Sequence, residues 1–179
     1  MAKGGDLQAW FIEYQDLDRT DGRVVIMPEG FEKLCDALEF NLEEIEPMVL
    51  LWKLNGVELA TIEFEGWESG MRAMNVKDIK GLKAAILSTV QEFENDPVLF
   101  KTFYRKVFDY LRPEQQRSVS AEANSDSIKV ISRDQWQSLL ELSKALSPDL
   151  SNYSNEDAWP AMFDGFVDWA KNTKPEAAK

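Results

Sequence analysis

Apolar side chains recur at helical spacing along most of this chain, and that recurrence restricts its fold more than any other feature. Phe31, Leu34, Cys35 and Leu38 fall at i, i+3, i+4 and i+7 behind Pro28, a residue suited to the first turn of a helix. Ile45, Val49 and Trp52, widened by Met48 and Leu51, predict a second helix that stops at Asn55-Gly56. Ile79, Leu82, Ile86, Val90 and Phe93 form a third stripe. After Asp96-Pro97 a fourth runs through Phe100, Phe103, Tyr104, Val107, Phe108 and Leu111. No internal repeat and no long alternating strand pattern accompanies them, so the reading is an all-α fold of core-facing helices.

The chain has 179 residues, 44% hydrophobic, with six Trp and ten Phe. A domain of that size takes roughly 70% of its unfolded surface out of water, which is ample for one core. Arg112-Pro113 stops the fourth stripe, and residues 114–129 then carry almost no large apolar side chain. The expected organisation is a single domain over 6–172. It has a larger part at 6–112, a polar linker at 113–130, a smaller part at 131–172 and a polar tail at 173–179. In the smaller part, Ser132 followed by Gln135 predicts a capping box ahead of Trp136, Leu139, Leu140 and Leu146. The last helix is expected to begin near Asp157-Ala158-Trp159-Pro160 and to bury Trp159, Phe163, Phe166 and Ala170. Asp164 and Asp168 then lie on its other side.

Charge and composition exclude much chemistry. Twenty Lys and Arg against thirty-two Asp and Glu leave a net charge of −12, which disfavours nucleic acid and anionic membrane as partners and favours a basic protein surface. There is no histidine and only one cysteine, Cys35. That removes His/Cys zinc sites and the Ser-His-Asp and Cys-His forms of nucleophilic catalysis. Cys35 sits on an apolar face and is expected to be a buried structural thiol. A single thiol forms no internal disulfide, which agrees with a reducing compartment. Without a long apolar run or a signal-like start, the chain is expected to be soluble, in the cytoplasm and/or the nucleus. No glycine loop suited to phosphate is present, and carboxylates are too frequent for a glycosidase pair to stand out.

Two helix-loop-helix units are suggested, around Asp16 to Pro28 and Leu54 to Phe64, which is the layout of paired EF-hands. The calcium register fails in both. With Asp16 and Asp18 at loop positions 1 and 3, Asp21 falls where glycine belongs and Met27 falls at the bidentate position. With Gly22 at position 6, Leu17, Arg19 and Pro28 take ligand positions. The second loop, Asn55 to Glu63, has too few oxygens. An EF-hand-like structure without metal is favoured over the alternative, a calcium sensor.

The end of the chain is more specific. Asp157-Ala158-Trp159-Pro160-Ala161-Met162-Phe163-Asp164-Gly165-Phe166-Val167-Asp168-Trp169, preceded by Ser151-Asn152-Tyr153, closely resembles the closing motif of the defective-in-cullin-neddylation family, whose domain is called PONY. The likeness continues upstream through Trp10-Phe11 and Tyr14, Gly30 with Leu34-Cys35, and Trp52-Lys53-Leu54. It also takes in Trp67 with Gly70-Met71, Phe100 to Tyr110, and Ile131 to Trp136. It covers nearly all of residues 7–170, with the motifs in the family's order.

The resemblance implies an all-helical, EF-hand-like protein without a metal or other cofactor. It implies a non-catalytic co-ligase that holds a cullin and a neddylation conjugating enzyme together while the ubiquitin-like modifier passes to a cullin lysine within a cullin-RING ligase complex. The family's acidic patch for the cullin winged-helix domain falls on Asp134, Ala158 and Asp164. Its groove for the conjugating enzyme's acetylated N-terminus falls on Phe31, Leu50, Leu54, Ala60, Ile62 and Tyr110. Read without the resemblance, Asp134 is a first-turn helix carboxylate, Asp164 a solvated charge, and the six groove positions are credible core residues. Two departures stand out. Some 20 to 25 residues of the family's pattern are missing between Tyr110 and Ser132, which leaves open a shortened cullin binder that competes rather than activates. Gly66 and Trp67 stand where a polar residue and a Phe are usual.

Overall fold

The computed structural model describes residues 5–16, 24–112, 116–120 and 130–173. The chain divides into two compact units, residues 1–111 and 112–179. Among the described residues the fold is all-helical with short strand pairs, and no helix is long and apolar enough to cross a membrane.

The first unit contains α1 (Gly5–Tyr14), β1 (Val25–Ile26), α2 (Pro28–Ala37), α3 (Glu46–Lys53), β2 (Ile62–Glu63), α4 (Phe64–Ala73), α5 (Ile79–Asn95) and α6 (Pro97–Leu111). The four stripes become α2, α3, α5 and α6. Helices α1 and α4 join them, although Leu7, Trp10, Phe11 and Tyr14 of α1 repeat the same i, i+3, i+4, i+7 spacing. The two helix-loop-helix units, α1 with α2 and α3 with α4, are joined through their loops by an antiparallel pair. Val25 lies opposite Glu63 and Ile26 opposite Ile62. Asp18, Asp21 and Gly22 of the first loop's calcium register lie outside the described residues. Among the described residues no group of three or more acidic or cysteine side chains could hold a metal ion.

Each helix pair closes on a glycine. A Cβ at Gly30 of α2 would lie 1.8 Å from the carbonyl oxygen of Tyr14, the last residue of α1. A Cβ at Gly70 of α4 would lie 2.3 Å from that of Lys53, the last residue of α3. Trp67 fills the space between α1 and α4. It is fully buried, its ring lies edge-on to Trp10 and Phe11 at 5.2 and 5.6 Å, and its indole N–H donates to the Leu7 carbonyl at 3.2 Å. The large ring thus has a partner for its polar atom. Trp52, Phe93 and Phe103 bring α3, α5 and α6 together, with Phe93 stacked on Phe103 at 5.0 Å. Asp78 caps α5 by accepting from the Gly81 amide at 2.7 Å, and Asp96 accepts from the amides of Val98 and Leu99 at the start of α6. Cys35 is fully buried, and loss of water pushes its thiol up to about 12, with Asp36 and Glu32 adding to the shift.

The second unit contains β3 (Ser118–Ser120), β4 (Val130–Ser132), α7 (Arg133–Ala145) and α8 (Met162–Thr173). Two sequence expectations are corrected here. Part of the expected linker is strand, because Val119 and Ile131 are β-branched and lie opposite each other in an antiparallel pair. The last helix starts at Met162 rather than near Asp157, because Pro160 disfavours helical backbone at Trp159. Phe163 and Ala170 are buried as expected, with Val167 inward in place of Phe166. Phe166 is 45% exposed and Trp159 half-buried.

Gly30→Ala and Gly70→Ala are each expected to destabilise the chain by about 3 kcal/mol in urea titrations, because the added methyl overlaps backbone that cannot move away. Cys35 is expected to react with a thiol reagent only at the rate of unfolding. Fast labelling of the folded chain would contradict its burial.

Candidate functional site

The acidic positions lie in the second unit, and their placement starts from the cap of α7. The Ser132 side chain accepts from the Gln135 amide at 3.2 Å, and the Gln135 side chain accepts from the Ser132 amide at 2.9 Å, as the capping box requires. With the helix start fixed there, Asp134 stands exposed in the first turn, where the helix dipole favours its charge.

A polar loop carries the chain from α7 to α8. The Asn152 amide group donates to the Ala145 carbonyl at 2.7 Å, and its side-chain oxygen accepts from the Ser147 amide at 2.8 Å, so one side chain closes the end of α7. Asp149 accepts from the hydroxyls of Ser147 and Ser151 and from the Ser151 amide, which holds its carboxyl down at about 2. Leu150 adopts left-handed backbone (φ 58) and packs with Val167, Ala170, Leu146 and Tyr153.

That packing presents Tyr153 to α8. Its hydroxyl donates to Asp164 Oδ1 at 2.6 Å, the short distance of a charge-assisted bond. Asp164 is in the first turn of α8 and half-buried, Asp168 is exposed one turn on, and Ala158 is exposed in the turn before the helix. Loss of water, the bond to Asp164, and the charges of Asp164, Asp157 and Asp168 push the Tyr153 hydroxyl up to about 12. Three carboxylates therefore act on one phenol, and one of them is held by it. Sequence reasoning did not give Tyr153 a role at the site. A tyrosine eleven residues before an acid carries no periodic signal, and only the loop geometry joins them.

The six groove positions lie in the first unit's interior. Phe31, Leu50, Leu54, Ile62 and Tyr110 belong to one core, Leu50, Leu54 and Ile62 have no exposed surface, and half-buried Ala60 (φ 53) packs against them. The Tyr110 hydroxyl is buried with no hydrogen-bond partner among the described residues, burial raises its pKa, and Lys106 lies over its ring at 4.9 Å.

The fold and its acidic end define an all-helical protein whose candidate chemistry is binding. A family model described as "Cullin binding" matches residues 121–169, the stretch that contains Asp134, Ala158 and Asp164. The chain is 31% identical to DCN1-like protein 5 of Pongo abelii, with 91% of this chain matched to 76% of the relative. It is 31% identical to DCN1-like protein 4 of Homo sapiens and 29% to that of Drosophila melanogaster, over 62% and 73% of their lengths. The chain belongs to the DCN1-like family. It spans 62% and 64% of the length of DCN1-like protein 4 from Homo sapiens and Danio rerio. These alignments run over 186 positions, whereas 91% of 179 residues is about 163, so about 23 aligned positions have no counterpart here.

All four tyrosines, Tyr14, Tyr104, Tyr110 and Tyr153, have raised pKa values, with Tyr104 and Tyr153 at about 12. A phenol with a folded value above its unfolded value of about 10 favours the folded state while protonated. For Tyr104 and Tyr153 that contribution is complete below about pH 10 and is lost as pH rises through about 12. Absorbance titration at 295 nm should show native phenolate formation continuing to about pH 12, and Tyr153→Phe should remove one late-titrating group. A titration of all native tyrosines complete by about pH 10 would contradict the assignment.

Proposed function

We propose that the chain is a helical scaffold that binds a cullin through the acidic end of its second unit. It holds that cullin beside a neddylation conjugating enzyme, so that the ubiquitin-like modifier passes to a cullin lysine. The observation that carries this reading is Asp164, fixed by Tyr153 beside Asp157 and Asp168 within the stretch that matches the cullin-binding family model. A carboxylate already held in place meets a basic side chain without first losing rotamer freedom. Asp134 adds an exposed charge from α7, and Ala158 leaves room for close approach. The intended partner surface is the cullin's C-terminal winged-helix domain.

The chain contributes position rather than acid or base. Bringing two reactants together in a productive geometry lowers an entropic barrier by several kcal/mol. The conjugating enzyme's acetylated N-terminus and amphipathic helix are assigned to the groove positions Phe31, Leu50, Leu54, Ala60, Ile62 and Tyr110, as a helix in an apolar groove. Burial of five of these favours a second reading beside the first. With about 23 family positions absent, the chain binds a cullin without engaging the enzyme and competes with longer relatives.

Titration calorimetry against a cullin winged-helix domain tests the first step. The unaltered chain is expected to bind, more weakly as salt rises, and Asp164→Lys to lose binding. Tyr153→Phe, which keeps the ring but frees Asp164, is expected to weaken binding about threefold to tenfold. Unchanged binding by Asp164→Lys would refute the patch. A modifier-transfer assay separates the two readings, since a scaffold accelerates cullin modification and a competitor slows it.

A further inference from the structure

Gly165 has no reason to be glycine within this chain. At Gly30, Gly56, Gly66 and Gly70 an added Cβ would come within 3 Å of another atom, whereas at Gly165 it meets nothing within 4 Å. Gly165 nevertheless lies inside α8, where glycine is a poorer helix former than alanine. Successive residues step about 100° around a helix. With Phe163, Val167 and Ala170 turned inward, Asp164 and Asp168 take one flank and Phe166 and Trp169 the other. Gly165 lies between the flanks on the outward side. Phe166 is 45% and Trp169 60% exposed, and their ring centroids are 6.1 Å apart.

An acidic flank, a bare strip of backbone and an aromatic flank on one helix surface fit a segment that is basic on one side and apolar on the other. A second copy of this chain fits poorly, because its net charge of −12 sets acid against acid. We propose that a basic, amphipathic segment of the cullin crosses α8 over Gly165. Its Lys or Arg side chains meet Asp164 and Asp168, and an apolar side chain packs against Phe166 and Trp169. The missing Cβ lets the two backbones approach. This rests on the cullin reading above and adds to it an apolar half that supplies affinity, where the acids supply orientation and salt dependence.

The test is titration calorimetry of the full chain against a cullin winged-helix domain at two salt concentrations. It compares the unaltered chain with Asp164→Lys, Gly165→Leu, Phe166→Ser and Trp169→Ser. Gly165→Leu is expected to weaken binding at least about tenfold while its Tm stays at or above that of the unaltered chain, since leucine favours the helix and meets nothing inside it. Phe166→Ser and Trp169→Ser are expected to weaken binding by a similar factor without changing its salt dependence. If Asp164→Lys loses binding while Gly165→Leu and Trp169→Ser bind like the unaltered chain, the crossing is wrong and the cullin reading stands. No binding by the folded, unaltered chain overturns both. A dimer of the unaltered chain that Trp169→Ser dissolves would also overturn the proposal, because a second copy would then occupy the face.

Discussion

The first unit depends on two places where a helix touches the end of its neighbour with no side chain between them. Gly30 meets the Tyr14 carbonyl and Gly70 meets the Lys53 carbonyl, and in each pair the carbonyl belongs to the last residue of the preceding helix. Carbonyls at a helix end have no partner within their own helix, so a neighbour there must be small or must donate. Glycine is the small solution. It brings α2 onto the end of α1 and α4 onto the end of α3, at a separation where the two loops reach each other and Ile26 pairs with Ile62. The core then forms around that pairing, with Leu34, Cys35, Leu50, Leu54 and Trp67 fully buried.

These contacts mark the limit of what periodicity reveals. Apolar spacing locates α2, α3, α5 and α6, because each buries one stripe and burial at helical period leaves a trace in the sequence. It does not reveal why Gly30 or Gly70 is glycine, since a residue required for lack of a side chain looks the same as a flexible one. Why position 67 carries a tryptophan is intelligible only with coordinates, where its ring lies against Trp10 and Phe11 and its N–H reaches Leu7. The strand pair at Val119 and Ile131 was hidden for a different reason. Three residues on each side are too few for alternation to stand out from a polar segment.

In the second unit, local rules place one acid and long-range contacts place the other. Asp134 follows from a capping box legible in four consecutive residues, Ser132 to Gln135. The stripe of α8 is legible at Phe163 and Ala170, but Val167 rather than Phe166 faces inward between them. That single shift turns an expected core residue into surface and brings an aromatic pair onto the face that carries Gly165.

The setting of Asp164 is the end of a chain of dependences. Ser132 fixes where α7 begins, and extended backbone at Leu146 ends it with the Ala145 carbonyl left open. Asn152 closes that end and thereby folds the loop back, and Leu150 accepts left-handed backbone because its side chain gains a place against Val167 and Ala170. Only then does the Tyr153 hydroxyl reach Asp164. Each link is an ordinary interaction of modest strength. In series they convert a mobile surface carboxylate into one with a defined direction, at the first turn of a helix whose dipole already favours its charge. A partner that recognises charge alone would need none of these links. Together they leave the Asp164 carboxylate with a fixed direction as well as a charge.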